Sequence, residues 1–151
     1  MQYSHVDSEL PRQPVGYWAW AAQDAVVTYI RANLAEYDVT QPQWWVLSQC
    51  AADEYGRTRD ELHSVLKGYL AIGATLQREI DALMDRGLLA VGYGGRLRLT
   101  SEGESVRRRC AERQTDMRAR IHDGIPEADY VITLKVLQRM IHNVGGEAWH
   151  H

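Results

Sequence analysis

The chain has no phenylalanine, two cysteines, four prolines and no long uninterrupted apolar run. No stretch approaches the ~18 consecutive apolar residues that a membrane-crossing helix needs, so no membrane partner is expected. Cys50 and Cys110 fit no metal-ligand spacing and read as free, buried or half-buried thiols inside helices. Cys110, which follows Arg107, Arg108 and Arg109, is the better placed of the two to become a reactive thiolate. His63, His122, His142, His150 and His151 form no metal-binding pattern, and no nucleophile motif, phosphate loop or acid pair stands out. No metal, no cofactor and no enzyme are therefore expected. The net charge of −3 argues against a general nucleic-acid coat. The opening segment to Pro14 is polar and lacks the apolar centre of a signal peptide, which sets a cytoplasmic expectation.

What is present is an ordered composition, 45% hydrophobic and 25% charged over 151 residues, long enough for one domain with a core of its own. The charge is unevenly spread. Residues 56–110 hold 10 Lys and Arg against 7 Asp and Glu, a surplus of +3, while the remainder carries −6. The middle of the chain is its basic half.

Helical periodicity predicts a first helix over 17–37, through Tyr17, Trp18, Trp20, Ala21, Ala25, Val26, Ile30, Leu34 and Tyr37. Its apolar arc is wide enough to meet both a core and a partner. Thr40-Gln41-Pro42 starts a second helix, which runs to about Ala52, and Gly56 breaks the chain after it. Thr58-Arg59-Asp60-Glu61 fits a capping box, with Leu62, Val65 and Leu66 as the inner face of a third helix that Gly68 ends. After the turn Tyr69–Gly73, a fourth helix spans 74–86. Leu76, Ile80 and Leu83 point inward, Thr75, Gln77, Arg78, Asp81 and Asp85 point outward, and Gly87 stops it. Leu88–Val91 and Arg96–Leu99 are short strands joined by Gly92-Tyr93-Gly94-Gly95. Ser101-Glu102-Gly103-Glu104 reads as a second capping box, opening a polar, basic helix to about Asp123. Pro126 begins the last helix, to about Asn143.

Helix, turn, helix and hairpin around one apolar seam make a winged helix. The fold class is mainly α with a small β-hairpin, a winged helix-turn-helix flanked by long N- and C-terminal helices. The first and last helices carry more apolar surface than one small domain hides, and pairing with a second copy would cover it. The expected organisation is a flexible lead (1–15), a helical dimerisation region (16–37 and 104–145), a winged helix-turn-helix (38–103) and a flexible tail (146–151).

Four stretches give this order a family likeness: Gly16-Tyr17-Trp18-Ala19-Trp20, Thr40-Gln41-Pro42-Gln43-Trp44-Trp45-Val46-Leu47, Ala74–Gly87 with the following Leu88, and Leu99-Thr100-Ser101-Glu102-Gly103. Together they resemble the MarR family of dimeric winged-helix transcription regulators over most of residues 16–124. The resemblance implies a homodimer that binds a pseudo-palindromic double-stranded DNA operator, most often as a repressor. It also implies an effector pocket between the dimerisation helices and the DNA-binding lobe. The wing departs from the family pattern: the family's longer segment with Asp-x-Arg shrinks to Gly-Tyr-Gly-Gly-Arg-Leu-Arg, with Arg96 the residue nearest its tip. Gly73 stands where a capping Ser, Thr or Asp is expected.

Thr75, Gln77 and Arg78 occupy the outer face early in the fourth helix, where Arg can pair with guanine, Gln with adenine, and Thr with a phosphate or a thymine methyl. Arg96 and Arg98 are the wing's candidates for backbone or minor-groove contact. Thr58 and Arg59 are candidates for phosphate contact at the start of the third helix. Tyr17, Trp18, Trp20, Trp44 and Trp45 concentrate on the first two helices, where a wall of indoles and a phenol would suit a planar, partly apolar effector such as a small aromatic molecule. The rival reading of those five is core and dimer packing. The rival to the regulator is a winged-helix dimer without DNA binding, serving as a protein-interaction or ligand-sequestering module.

Overall fold

The computed structural model describes residues 2–68 and 73–148. Among the described residues, six α-helices and one two-stranded antiparallel sheet follow in the order α1 (Val15–Ala35), α2 (Gln41–Ala51), α3 (Arg59–Leu66), α4 (Gly73–Asp85), β1 (Leu89–Val91), β2 (Leu97–Leu99), α5 (Ser101–Ile121) and α6 (Glu127–Asn143). This is the mainly helical winged-helix arrangement read from the sequence. The turn assigned to Tyr69–Gly73 falls outside the described residues, except that Gly73 itself is the first residue of α4. Gly73 is thus the first helical residue and not the cap. Of the tail, residues 149–151 are likewise outside the description.

Capping residues set most helix starts. Thr40 and Thr58 each form a full capping box: the Thr40 hydroxyl accepts the Gln43 amide and Gln43 reaches back to the Thr40 amide, and Thr58 and Glu61 repeat the exchange. Satisfying two otherwise unpaired amides in this way fixes where each helix begins. The second box expected at Ser101 is corrected: Thr100 is the cap of α5, and its hydroxyl accepts the Gly103 amide. No acidic side chain then stands at the third helical position to reciprocate, because glycine is there. Helix α1 lies two residues earlier than predicted at both ends. Pro14 serves as its N-cap, and at the other end Asp38 takes a positive φ of 53° while the Val39 amide turns back to the Leu34 carbonyl.

One core joins all these elements except α6. Leu34 of α1, Val46 and Leu47 of α2, Leu62 and Leu66 of α3, Leu76, Ile80 and Leu83 of α4, Leu89 and Leu97 of the hairpin, and Val106 and Cys110 of α5 are all buried in it. Helix α2 is the hub, packing on α1, α4, α5 and β2. Burial of so many leucines at the 3.6-residue spacing supplies the main driving force for the arrangement.

The sheet pairs Leu89 with Leu99, Ala90 with Arg98 and Val91 with Leu97. A bridge from Arg57 to Leu97 ties the start of the α3 segment to the hairpin, a link not foreseen from the sequence. Two glycines are demanded by close approach. A Cβ on Gly56, which has φ +76°, would sit 2.2 Å from the Leu97 carbonyl oxygen; one on Gly103 would sit 1.9 Å from that of Leu88. The glycine of Leu-Thr-x-x-Gly is thus where the first turn of α5 passes against the backbone leading into the wing.

Helix α6 buries none of its residues within the chain. Ile132 is 58% exposed, and Val131, Leu134, Val136 and Met140 are also exposed. At the other end Val15, Tyr17, Trp18 and Trp20 of α1 are exposed as well. The terminal helices therefore present apolar surface that one chain leaves uncovered, as their sequence patterns led us to expect.

Candidate nucleic-acid interface

Helices α3 and α4 form the helix-turn-helix hairpin, and a short polar network fixes one to the other. Arg59, in the first turn of α3, donates through Nη1 to Gln77 Oε1 at 2.6 Å and through Nη2 to Asp81 Oδ1 at 2.6 Å. Glu79, on α4, accepts from the Thr40 hydroxyl at 3.1 Å and from Gln43 Nε2 at 2.7 Å. The same residues that cap α2 therefore also hold α4. Arg86 closes the far end of α4 by donating to the Asp38 carbonyl. The sequence pattern gave no hint of Glu79 or Arg86, since partners 36 to 48 residues apart leave no periodic signal.

Along α4, Leu76, Ile80 and Leu83 are buried, while Thr75 and Arg78 are exposed and Gln77 is half-buried. The predicted outer face is thus on the outside. Of the four arginines read from the sequence as DNA contacts, Arg59, Arg96 and Arg98 are held by neighbours, whereas Arg78 makes no hydrogen bond or ion pair with any described residue. Arg78 is the cation on this face that is ready to meet an anion. Gln77 keeps both amide hydrogens and one lone pair after accepting from Arg59. Thr58 is occupied as a cap, its hydroxyl accepting the Glu61 amide at 3.2 Å.

The wing differs most from its sequence reading. Arg96 does not stand out at the tip. Its Nε and Nη2 donate to the Gly56 carbonyl at 3.1 and 2.9 Å, and its Nη1 and Nη2 donate to the Glu61 carboxylate at 3.2 and 3.0 Å. Asp53 adds a second carboxylate at 3.8 Å. Arg98 donates to the Glu54 carbonyl at 2.6 Å. The physical reason is local: β2 runs beside the Asp53–Glu61 segment, whose carbonyls and carboxylates are nearer than any solvent-borne anion. The tip belongs to Tyr93, which is 99% exposed and followed by Gly94 and Gly95 with φ of 66° and 73°.

The surplus of positive charge in the middle of the chain is consequently much less free than its count suggests. Arg57 donates to the Gln49 carbonyl, Arg86 to Asp38, and Arg107 to Glu104 at 2.6 Å. The hydrogen bonds from Arg107 hold the Glu104 carboxyl below its ordinary pKa.

The five aromatic candidates fall into two sets. Tyr17, Trp18 and Trp20 cluster on the exposed start of α1, with ring centroids 5.2 Å apart for Tyr17 and Trp18 and 6.3 Å apart for Tyr17 and Trp20. Trp44 and Trp45 are half-buried on α2 against the core. A concavity of about 1140 Å³ along α6 and one of about 410 Å³ behind the wing are lined by none of the five. On α2, Gln41 Oε1 and Ser48 Oγ are buried without a hydrogen-bond partner among the described residues. They lie seven residues apart, on the face that also bears Trp44 and Trp45.

Both cysteines are free and buried. Burial pushes the Cys50 thiol up to about 11 and also raises that of Cys110, against a lowering pull from Arg109. The idea that the neighbouring arginines make Cys110 a reactive thiolate is therefore corrected: its sulfur points into the core, where desolvation outweighs their charge. Among the described residues no group of three or more His, Cys, Asp or Glu could hold a metal ion, and no helix is long and apolar enough to cross a membrane.

Comparison with solved structures identifies the fold as that of the MarR-family winged-helix regulators. The PcaV transcriptional regulator from Streptomyces coelicolor is similar with a TM-score of 0.73 and 23% identity, over 89% of this chain and 100% of that one. A Mycobacterium tuberculosis MarR family protein in complex with DNA is similar with a TM-score of 0.66 and 17% identity, over 85% of this chain and 98% of that one. The transcriptional repressor CouR bound to p-coumaroyl-CoA is similar with a TM-score of 0.70 and 23% identity, over 89% and 96%. No family model matches the sequence, and no curated protein matches it.

Proposed function

We propose that this chain is a DNA-binding transcriptional regulator of the MarR type, most simply a repressor, which grips a pseudo-palindromic operator as a homodimer. The observation that carries the reading is the outer face of α4. An exposed Arg78 without a described partner, flanked by Thr75 and a braced Gln77, stands on a helix-turn-helix hairpin whose fold recurs in a protein bound to DNA. Arg78 and Gln77 suit base edges in the major groove, and Thr75 suits a phosphate or thymine methyl. Asp81 and Asp85 lie further along the helix, so its first half is the part that enters. The reading has no catalytic step, and the expected cytoplasmic site of action goes with it.

The homodimer is supported by the uncovered apolar faces of α1 and α6, which would pair to carry two reading heads one helical turn, ~34 Å, apart. Release by a small aromatic effector is supported by α2. Trp44 and Trp45 supply ring surface, and the unpaired Gln41 and Ser48 oxygens supply hydrogen-bonding sites on that same face. Tyr17, Trp18 and Trp20 belong with the dimer surface in this reading. An effector would act by favouring a dimer whose heads no longer match the groove.

The rival reading, a winged-helix dimer that does not bind DNA, draws support from the internal engagement of Arg59, Arg96 and Arg98. Selection of duplexes from a random pool separates the two. The regulator enriches a palindromic sequence and Arg78→Ala loses it; the rival enriches nothing.

A further inference from the structure

The wing holds two arginines and a tyrosine, and the fold treats them oppositely. Arg96 is committed inward by four hydrogen bonds, two of them to the Glu61 carboxylate at 3.0 and 3.2 Å. Swinging it out to a phosphate would exchange one charge-assisted bidentate contact for another and leave Glu61 as an unpaired negative charge beside the duplex. Nothing would be gained by the exchange. Arg98 is likewise turned back, onto Glu54.

Tyr93 has the opposite situation. It is the most exposed large hydrophobic side chain among the described residues, at 99%. The hairpin beneath it is closed by the Gly92 amide on the Arg96 carbonyl at 2.7 Å and by two glycines in left-handed conformations. Because the backbone of the turn is already closed, docking the ring orders only its two side-chain torsions. Its phenol can donate to a phosphate oxygen while its face lies against sugar or a groove wall.

Arg96 also does more than fill space. Through Glu61 it joins the base of the wing to the first turn of α3, and Arg59, two residues earlier, joins that turn to Gln77 and Asp81 of α4. Wing, α3 and α4 are thus linked in series by two guanidinium groups.

Resting on the DNA-binding reading above, we infer that Tyr93 is the wing's contact with duplex DNA. Arg96 is a positioning residue that sets the wing against α3 through Glu61.

The test uses the full-length protein and a duplex enriched by it from a random pool. Affinity is measured by anisotropy over a series of salt concentrations for wild type, Tyr93→Ala, Arg96→Met and Arg96→Lys. A photo-crosslinking p-benzoylphenylalanine is placed at position 93 with and without Arg96→Met. Tyr93→Ala should weaken binding roughly tenfold per wing, on the order of a hundredfold for the dimer, the scale of one hydrogen bond to a charged group at each wing, with no change in salt slope and no change in Tm. The photoprobe should crosslink to the duplex at one place, and Arg96→Met should abolish or displace that crosslink. Arg96→Lys should not rescue, since an ammonium cannot reproduce the bidentate fork. Two results overturn the inference alone: Tyr93→Ala binding as tightly as wild type, or Arg96→Met lowering the salt slope by about 0.9 per wing, the mark of a lost phosphate contact. A wild-type protein that enriches no duplex overturns the DNA-binding reading and this inference with it.

Discussion

Arg59 holds Asp81 and Gln77 at once, each at 2.6 Å, so that a single guanidinium both neutralises an acid on α4 and orients an amide on its outer face. Asp81 stands one turn beyond the residues proposed to enter the groove. Left alone, it would push phosphate away.

Arg59→Met should therefore reduce DNA affinity by leaving the Asp81 charge unneutralised and relax base preference by releasing Gln77. The pair is partly solvated, with side chains 37% and 59% exposed, so thermal stability should hardly move. Operator variants titrated against wild type and Arg59→Met, beside their melting curves, check both halves of this expectation.

Gly103→Ala should destabilise the fold strongly, on the order of 2–4 kcal/mol, because its Cβ would meet backbone and not a yielding side chain. Gly87→Ala is the matched control. Gly87 has φ +69° with open space around its missing Cβ, so only the cost of the left-handed conformation applies, about 1–2 kcal/mol. Urea unfolding of the two variants should rank them in that order.

The distinction bears on what was legible in the sequence. Thr58 and Thr40 could be placed because caps act within three residues. Leu76, Ile80 and Leu83 could be placed because a helix repeats. The Leu-Thr-x-x-Gly glycine could be noticed, but its reason could not, since Leu88 meets Gly103 only after the wing folds. Arg96 shows the limit most clearly. Its place beside the wing tip was correct in sequence, yet its direction depends on Gly56, Asp53 and Glu61, which lie 35 or more residues away. Counting charges likewise overstated the free positive surface, because pairing is decided by tertiary neighbours.

Cys50 gives a pH signature. Its thiol is raised from 9.0 to about 11 by burial, so the folded state keeps a proton that the unfolded state releases. The sign follows directly: this contribution is fully present below pH 9 and is lost as pH rises through 11, a fall on the order of 2–3 kcal/mol across that window. Cys50→Ala should flatten the alkaline limb of the stability profile. At pH 7 neither Cys50 nor Cys110 should react with a thiol reagent until the protein unfolds, and labelling followed with and without denaturant tests this.

Ile132→Glu places a charge on the exposed apolar face of α6. In the dimer reading it should convert a two-chain particle in sedimentation equilibrium to a single chain, and DNA affinity should fall with it. Because Ile132 is exposed within the chain, the monomer should keep its helical circular dichroism.

The most direct measurement is anisotropy of the purified protein against its own upstream DNA and a scrambled duplex, at several salt concentrations. A dimer that reads DNA should bind saturably and prefer the upstream duplex, with a log affinity that falls steeply with log salt, and Arg78→Ala should lose that preference. Equal, weak binding to both duplexes by the wild type, unaltered by Arg78→Ala, would contradict that reading and favour the dimer that does not read DNA.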